Sequence, residues 1–269
     1  MTKNLSIQIF SDIHIELWDK LPIIPIKAKY LFLAGDICQL NHLLFYPFLS
    51  FCSKNWEKVF YIPGNHEFYS NRKNYNELIF EYDLKIKENY KNIFFLNDDF
   101  VCLDDDVNIY GSTFWTIPPF DKTSHAQSTN EDYNFISYFN KNKNMVVKWD
   151  ISYVKELANN ALNKLKDYLN VTSKKTIVMT HFPPLQSGTM NPMYVYMKKT
   201  ELDYFGWRDN TIDKLNLKNV SIWISGHTHW SYDFEKNGIR FISNQIGYKL
   251  EIGTVGSNEV GLFDIVISL

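Results

Sequence analysis

The chain has 269 residues, of which 45% are hydrophobic and 22% charged, and a formal net charge of −2. That length suits one α/β domain with insertions or two small ones, and roughly three quarters of the unfolded surface can be buried at this size. The weak negative charge excludes a global basic field for nucleic acid, and three arginines (Arg72, Arg208, Arg240) exclude an arginine-rich phosphate clamp.

Cys38, Cys52 and Cys102 form no metal-ligand spacing, and an odd, sparse count argues against a secreted disulfide framework. The N-terminal stretch carries no signal-peptide apolar region, and no apolar run approaches the roughly 18 residues of a membrane span. The expectation is a cytoplasmic location with no membrane partner.

Taken in chain order, SIQIF (Ser6–Phe10) reads as a strand, with Asp12 and His14 on the loop after it. Tyr30–Ala34 is a second strand, stopped by Gly35 and followed by Asp36. Leu40–Asn55 reads as a helix that includes His42, and Lys58–Ile62 as a third strand, ended by the turn pair Pro63–Gly64. Asn65, His66 and Glu67 follow that turn. Asn74–Glu88 reads as helical, and Ile93–Leu96, Val101–Leu103 and Val107–Tyr110 as short β segments. Asp104, Asp105 and Asp106 between the last two suit a solvated turn better than a metal site.

Gly111–Lys148 has no clear periodicity, and an insertion of this length (about 112–148) is expected to act as a lid, with His125 a solvated loop residue. Asp150 is the expected N-cap of the clearest helix, where Ile151, Val154, Leu157, Ala158, Ala161, Leu162 and Leu165 recur at spacings of three and four. Thr176–Thr180 and Ser221–Ser225 read as strands, ending in His181 and in GHTH with His227 and His229. Tyr232–Phe234 and Arg240–Ser243 flank Asn237–Gly238, a hairpin signal, and Val260–Ser268 reads as a closing strand. No repeat or linker divides the chain, so one domain over 1–269 is expected.

Five apolar runs thus each end in a short motif rich in chemistry: SDIH, GD, GNHE, a lone His, and GHTH. In open α/β sheets, ligands bind outside the carboxyl ends of the strands. Asp12 and Asp36 offer anionic oxygen, Asn65 a carbonyl oxygen, and His14, His181, His227 and His229 imidazole nitrogen. This mixture points to divalent ions, Mn²⁺ first, with Fe, Zn²⁺, Ni²⁺ or Mg²⁺ as alternatives. A single zinc takes four ligands, so seven donors suit two ions. If Asp36 bridges, each ion receives four bonds. Two divalent cations, two carboxylates and a bridging hydroxide then leave one net positive charge, which attracts phosphate. Metals about 3.5–4 Å apart clamp the attacking and leaving oxygens of an in-line displacement.

In their order, these motifs resemble the calcineurin-like metallophosphoesterases, and the match runs from Asp12 to His229 and on toward the C-terminus. GSTFWT and GIRFISNQIGY further resemble an uncharacterised bacterial and viral branch of that family. The resemblance implies a four-layer α/β/β/α sandwich of two mixed β-sheets flanked by helices. It implies that Asp12, His14, Asp36 and His229 hold one metal and that Asp36, Asn65, His181 and His227 hold the other. It makes His66 the group that binds the phosphate and protonates the leaving alkoxide, with Asp36 as the shared catalytic bridge. The assignment of His227 and His229 to different ions rests on the resemblance, because residues i and i+2 of an extended segment face the same way.

Two departures bear on substrate. GDICQL lacks the Asp-Arg pair of the protein Ser/Thr phosphatases, and Phe182 stands where many relatives carry a second histidine or another polar residue. Glu67 is expected to orient or cap rather than catalyse. Trp18, Phe68, Tyr69, Trp115 and Trp207 are expected to pack rather than stack on a ligand. The expected activity is hydrolysis of a small or nucleotide-like phosphomono- or phosphodiester by a metal-bridging hydroxide. A non-catalytic scaffold and a nuclease are the alternatives.

Overall fold

The computed structural model describes residues 6–199 and 204–248, together with the backbone of 266–268. The parallel strands β1 (Ser6–Phe10), β2 (Tyr30–Ala34), β3 (Lys58–Ile62) and β4 (Ile93–Phe95) form one sheet. Its other edge is β13 (Val266–Ser268), antiparallel to β1 with Ile7 opposite Ile267. The second sheet is built from β5 (Asp99–Cys102), β6 (Val107–Ser112), β9 (Lys175–Thr180), β10 (Val220–Ile224), β11 (Tyr232–Lys236) and β12 (Ile239–Ser243). Its order is β11-β12-β10-β9-β6-β5, parallel through the middle and antiparallel at both edges.

Strand alternation builds the layers. Odd and even residues of a strand face opposite sides, and here both sides are apolar. Phe32, Phe60 and Ile62 of the first sheet meet Ile109, Ile177, Met179, Ile222 and Ile224 of the second in one buried cluster. The alternate residues Leu31, Leu33, Val59 and Tyr61, and likewise Tyr110, Val178, Trp223 and Phe241, join the larger cluster that contains the helices. The sequence expectation of two mixed sheets with helices outside holds.

Helix α1 (Phe45–Asn55) buries Phe45, Phe48, Leu49 and Cys52, and α2 (Tyr75–Asn89) buries Leu78, Tyr82 and Ile86. Asn74 caps α2 in a capping box with Glu77. Asp150 caps α5 (Ile151–Val171) by accepting from the Tyr153 N–H, as its sequence implied. The α5 stripe of Val154, Ala158, Ala161 and Leu165 is buried, and Tyr168 Oη accepts from Asn108 Nδ2 of β6 at 3.0 Å.

Some expectations need correction. The first helix starts at Phe45, five residues later than Leu40. A start at Leu40 would put Pro47 inside the helix, without an N–H to donate. A start at Phe45 puts it in the first turn, where no donor is needed. His42 therefore lies in the preceding turn, where its carbonyl accepts from Phe45 N. His125 is on a helix, α3 (Thr123–Thr129), with Nδ1 3.4 Å from Tyr204 Oη, and is not a solvated loop residue.

The region without periodicity is ordered in short pieces: α3, α4 (Asp132–Phe135), and a separate hairpin of β7 (Ser137–Asn140) and β8 (Met145–Lys148). Pieces of four to seven residues are too short to display a helical or strand period. One further short helix, α6 (Pro192–Tyr196), follows β9. The Asp104 turn and the Asn237–Gly238 hairpin are as expected, the latter with φ of 55° and 76°. Residues 260–265 of the expected closing strand lie outside the described residues. Among the described residues, no helix is long and apolar enough to cross a membrane.

Candidate metal centre

The carboxyl ends of the central strands of both sheets point to one edge of the sandwich. Backbone bonds knit the loops there: Asp12 N–H donates to Gly35 O at 3.0 Å, His14 N–H to Asp36 O at 3.0 Å, and Gly226 N–H to His181 O at 2.9 Å. Gly64 lets the third loop approach the second. A Cβ there would lie 2.1 Å from Asp36 Oδ1. Gly35 has φ +87°, and a Cβ on it would lie 2.5 Å from His181 Nδ1.

Glu67 is the buried anchor of these loops. Its carboxylate accepts from the N–H groups of Asp36 (2.9 Å), Ile37 (2.7 Å), Cys38 (3.2 Å) and Gly64 (2.6 Å), and from Tyr61 Oη (2.8 Å). This is the orienting role expected of it. Burial, then the nearby Asp36 carboxylate, raises its pKa, while the Ile37 N–H and Tyr61 hydroxyl favour its charged form.

The seven sequence-derived donors come together. His14 Nε2 lies 3.1 Å from His229 Nε2 and 3.8 Å from Asp36 Oδ2. His229 Nε2 lies 3.6 Å from Asp12 Oδ1. His181 Nε2 lies 3.5 Å from Asp36 Oδ2 and 3.0 Å from Asn65 Oδ1. The His227 ring stands 5.1 Å from that of His181, centroid to centroid. Two triads, Asp12/His14/His229 and Asp12/Asp36/His181, have ligand atoms all within 4.8 Å of one another. A third, His14/Asp36/His66, meets the same measure. Asp36 is common to the second and third.

The backbone at these positions is strained. Asp12, His14, Asp36, His227 and His229 all have positive φ, between 49° and 73°. Few non-glycine residues adopt that region, and its cost is typical of functional sites. It also corrects a premise of the sequence reading. His227 and His229 do not lie on an extended segment, and they diverge: His227 toward His181 and His229 toward Asp12 and His14.

The donor set fits cations. His181 Nδ1 lies 2.9 Å from the Ala34 carbonyl, which only accepts, so that nitrogen carries a proton. Asn65 Nδ2 donates to Asp132 Oδ1 at 2.9 Å, so its Oδ1 is the atom turned inward. Two acceptors, Asn65 Oδ1 and Asp36 Oδ2, then both face His181 Nε2. Either a second proton on His181 or a cation must sit among them. Without a cation, burial pushes His181 down, but Asp36 outweighs it and lifts the pKa to about 10. His227 Nε2 is buried with no hydrogen-bond partner among the described residues. Its pKa is lowered by burial and then by His181, which keeps it neutral and able to ligate. His14 is also lowered, chiefly by burial.

His66 sits at the edge of this cluster, with Nε2 4.0 Å from Asp36 Oδ2 and 3.2 Å from Tyr248 Oη. Burial lowers its pKa, but Asp36 and then Glu16 raise it to about 9. Its ring stacks on Tyr69 at 4.3 Å, and Tyr69 in turn on Phe135 at 5.2 Å. A cavity of about 530 Å³ opens beside it, lined by Glu16, Gln39, Asn41, Tyr69, Arg72 and Phe135 among others. Phe182 is buried and packs at 3.9 Å on His227, where it shuts solvent off one side. Phe68, Trp115 and Trp207 are buried packing residues, and Trp18 is partly buried against the core.

Three residues near the site had no role in the sequence reading. Glu16 contacts His14 and His66. Its place two residues after His14 was a usable signal. Asp132, buried on α4, orients Asn65 and accepts from Tyr69 Oη at 2.8 Å. Nothing in the unpatterned segment marked it. Tyr248 packs on the rings of His14 (4.6 Å) and His229 (4.5 Å). It belongs to the quoted GIRFISNQIGY tail. Glu16, Glu67 and Asp132 add negative charge that the count of one net positive charge left out.

The family model described as calcineurin-like phosphoesterase matches residues 5–231. The chain belongs to that family, whose members typically bind divalent metals. The uncharacterized protein L509 of Acanthamoeba polyphaga mimivirus is 29% identical over 263 residues, covering 90% of this chain and 90% of that one. Among solved structures, the phosphopantetheinyl hydrolase PptH from Mycobacterium tuberculosis matches 92% of this chain and 91% of its own, with a TM-score of 0.66 and 17% identity. At that identity the likeness concerns the fold alone.

Proposed function

We propose that this protein is a dinuclear metal-dependent phosphoesterase acting on a small or nucleotide-like phosphomono- or phosphodiester. Asp12, His14, Asp36 and His229 hold one divalent ion, and Asp36, Asn65, His181 and His227 the other, with Mn²⁺ the first choice. The observation that carries this reading is the convergence of Asn65 Oδ1 and Asp36 Oδ2 on His181 Nε2, with His181 Nδ1 committed to Ala34 O and the Asn65 amide nitrogen to Asp132. When bound, the ions supply an acidified water near neutral pH and offset charge developing at phosphorus.

The chain's own groups do the rest. His66 Nε2 protonates the leaving alkoxide, from a ring held by stacking on Tyr69. The cavity beside it seats the leaving group, and its modest volume favours a small one. Phe182 excludes water next to His227. The segment 112–148 serves as a lid and wall, since it contributes Asp132 behind Asn65 and Phe135 to the cavity.

The test is a panel of monoester, diester, cyclic-nucleotide and dinucleotide substrates with Mn²⁺, alongside direct measurement of bound metal. Metal uptake with turnover of nitrophenyl phosphate is expected. No uptake at micromolar Mn²⁺ would favour the non-catalytic scaffold. Cleavage of DNA or RNA that falls steeply with salt would favour a nuclease.

A further inference from the structure

Glu16 lies in a 3-10 turn, Ile15–Leu17, that begins directly after His14, itself held at φ 49° and ψ 53°. The turn folds the Glu16 side chain back under two imidazoles. Its Oε1 is 3.3 Å from His14 Nδ1 and 3.5 Å from His66 Nδ1. The side chain is only 8% exposed, and Oε2 is buried without a hydrogen-bond partner among the described residues. Both ion pairs found for Glu16 are with these two histidines. A buried carboxylate needs donors, and an ionised one accepts only. Each Nδ1 therefore meets it as N–H, and each Nε2 is left to face the centre. For His14 that atom is the one 3.1 Å from His229 Nε2. For His66 it is the one nearest Asp36 Oδ2 and Tyr248 Oη.

We propose that Glu16 is a positioning residue: by accepting from both Nδ1–H groups, one carboxylate fixes the ring orientation of a metal ligand, His14, whose Nε2 stays free to ligate, and of the proton donor, His66, whose Nε2–H points at the centre. Metal affinity and proton delivery then share a single support. This rests on the roles given to His14 and His66 above. Sequence spacing could suggest the contact with His14, but the contact with His66 exists only because two loops from different strands meet.

The experiment uses the full chain and compares Glu16→Ala, Glu16→Gln, His66→Ala and the Glu16→Ala/His66→Ala pair. Mn²⁺ affinity is read by calorimetry, kcat and KM with nitrophenyl phosphate at saturating Mn²⁺, and ring nitrogen shifts by NMR on metal-free protein. Glu16→Ala is expected to weaken Mn²⁺ binding by about 10- to 100-fold. It should lower kcat at least about tenfold with KM within about twofold, and Glu16→Gln, which keeps an oxygen acceptor, should recover part of both. On the His66→Ala background the further loss of kcat should be under about twofold, since the two act as one unit. In Glu16→Ala the His14 nitrogen shifts should lose the Nδ1–H tautomer pattern, and the His66 Nδ1 shift should lose its hydrogen-bonded position. Losses that multiply, or unchanged Mn²⁺ affinity and nitrogen shifts, would overturn the proposal. A wild type that binds no Mn²⁺ would instead sink the metal reading beneath it, and the nitrogen shifts still decide whether Glu16 holds both Nδ1–H groups.

Discussion

At the scale of single residues, Asp36 carries the most weight. It accepts from the His66 backbone N–H through Oδ1 at 2.8 Å and faces His14, His66 and His181 through Oδ2. If it serves two ions, removing its charge disables both. Asp36→Asn is therefore expected to lower affinity at both sites by more than about 100-fold, measured by titration with Mn²⁺ and by metal content after dialysis. Full activity in that variant would refute the bridge. His66 is a different case. His66→Ala should lower kcat by roughly 10² to 10⁴ with metal content near wild type, and more for poor leaving groups than for nitrophenolate. Equal losses across leaving groups would remove its role as acid. The donors themselves were legible in the sequence because each follows a buried strand. The contacts of Glu16 with His66 and of Tyr248 with His14 and His66 were not, because those partners are distant in the chain.

At the scale of elements, loops do the positioning and short helices support them. Glu67 ties the loops after β2 and β3 through four backbone N–H groups. Five of the seven donors sit at positive φ, so the loops are held in a conformation that they would not adopt alone. Helix α4 supplies Asp132, which fixes the Asn65 amide with Oδ1 inward. Without it the amide nitrogen keeps only its 3.3 Å bond to Tyr69 Oη, and the amide is freer to turn Nδ2 toward the centre. Asp132→Ala is expected to weaken Mn²⁺ binding by about 10- to 100-fold, with the effect confined to one of two resolvable sites in a calorimetric titration. Equal weakening of both sites would argue against this support of Asn65. Apart from β7 and β8, the strands were legible at nearly their observed bounds, since short apolar runs such as Tyr30–Ala34 and Lys58–Ile62, stopped by Gly35 and Pro63, leave little choice. The start of α1 was not, because Pro47 decides it through a missing donor rather than through periodicity.

At the scale of the whole molecule, the two sheets meet by their apolar inner faces, and the centre lies where the ends of both sheets converge. Binding ions there joins the two halves of the sandwich, so metal and stability are linked. Mn²⁺ at about 100 times its Kd should add about 2.7 kcal/mol per site, and raise Tm by on the order of 5 °C for a protein this size. A thermal melt with and without chelator measures this, and the shift should vanish in Asp36→Asn. An unchanged Tm on adding Mn²⁺ would separate the site from the metal. The sequence by itself determined most strands and the seven donors, because strand periodicity and turn residues are local properties of the chain; the sandwich was implied only by the resemblance that the motif order carries. Only the tertiary structure decided which donors share a neighbourhood, that His227 and His229 diverge, that Glu16 reaches His66, and that Asp132 stands behind Asn65. Those facts depend on left-handed backbone and on contacts between loops more than 30 residues apart, and neither leaves a pattern in the order of amino acids.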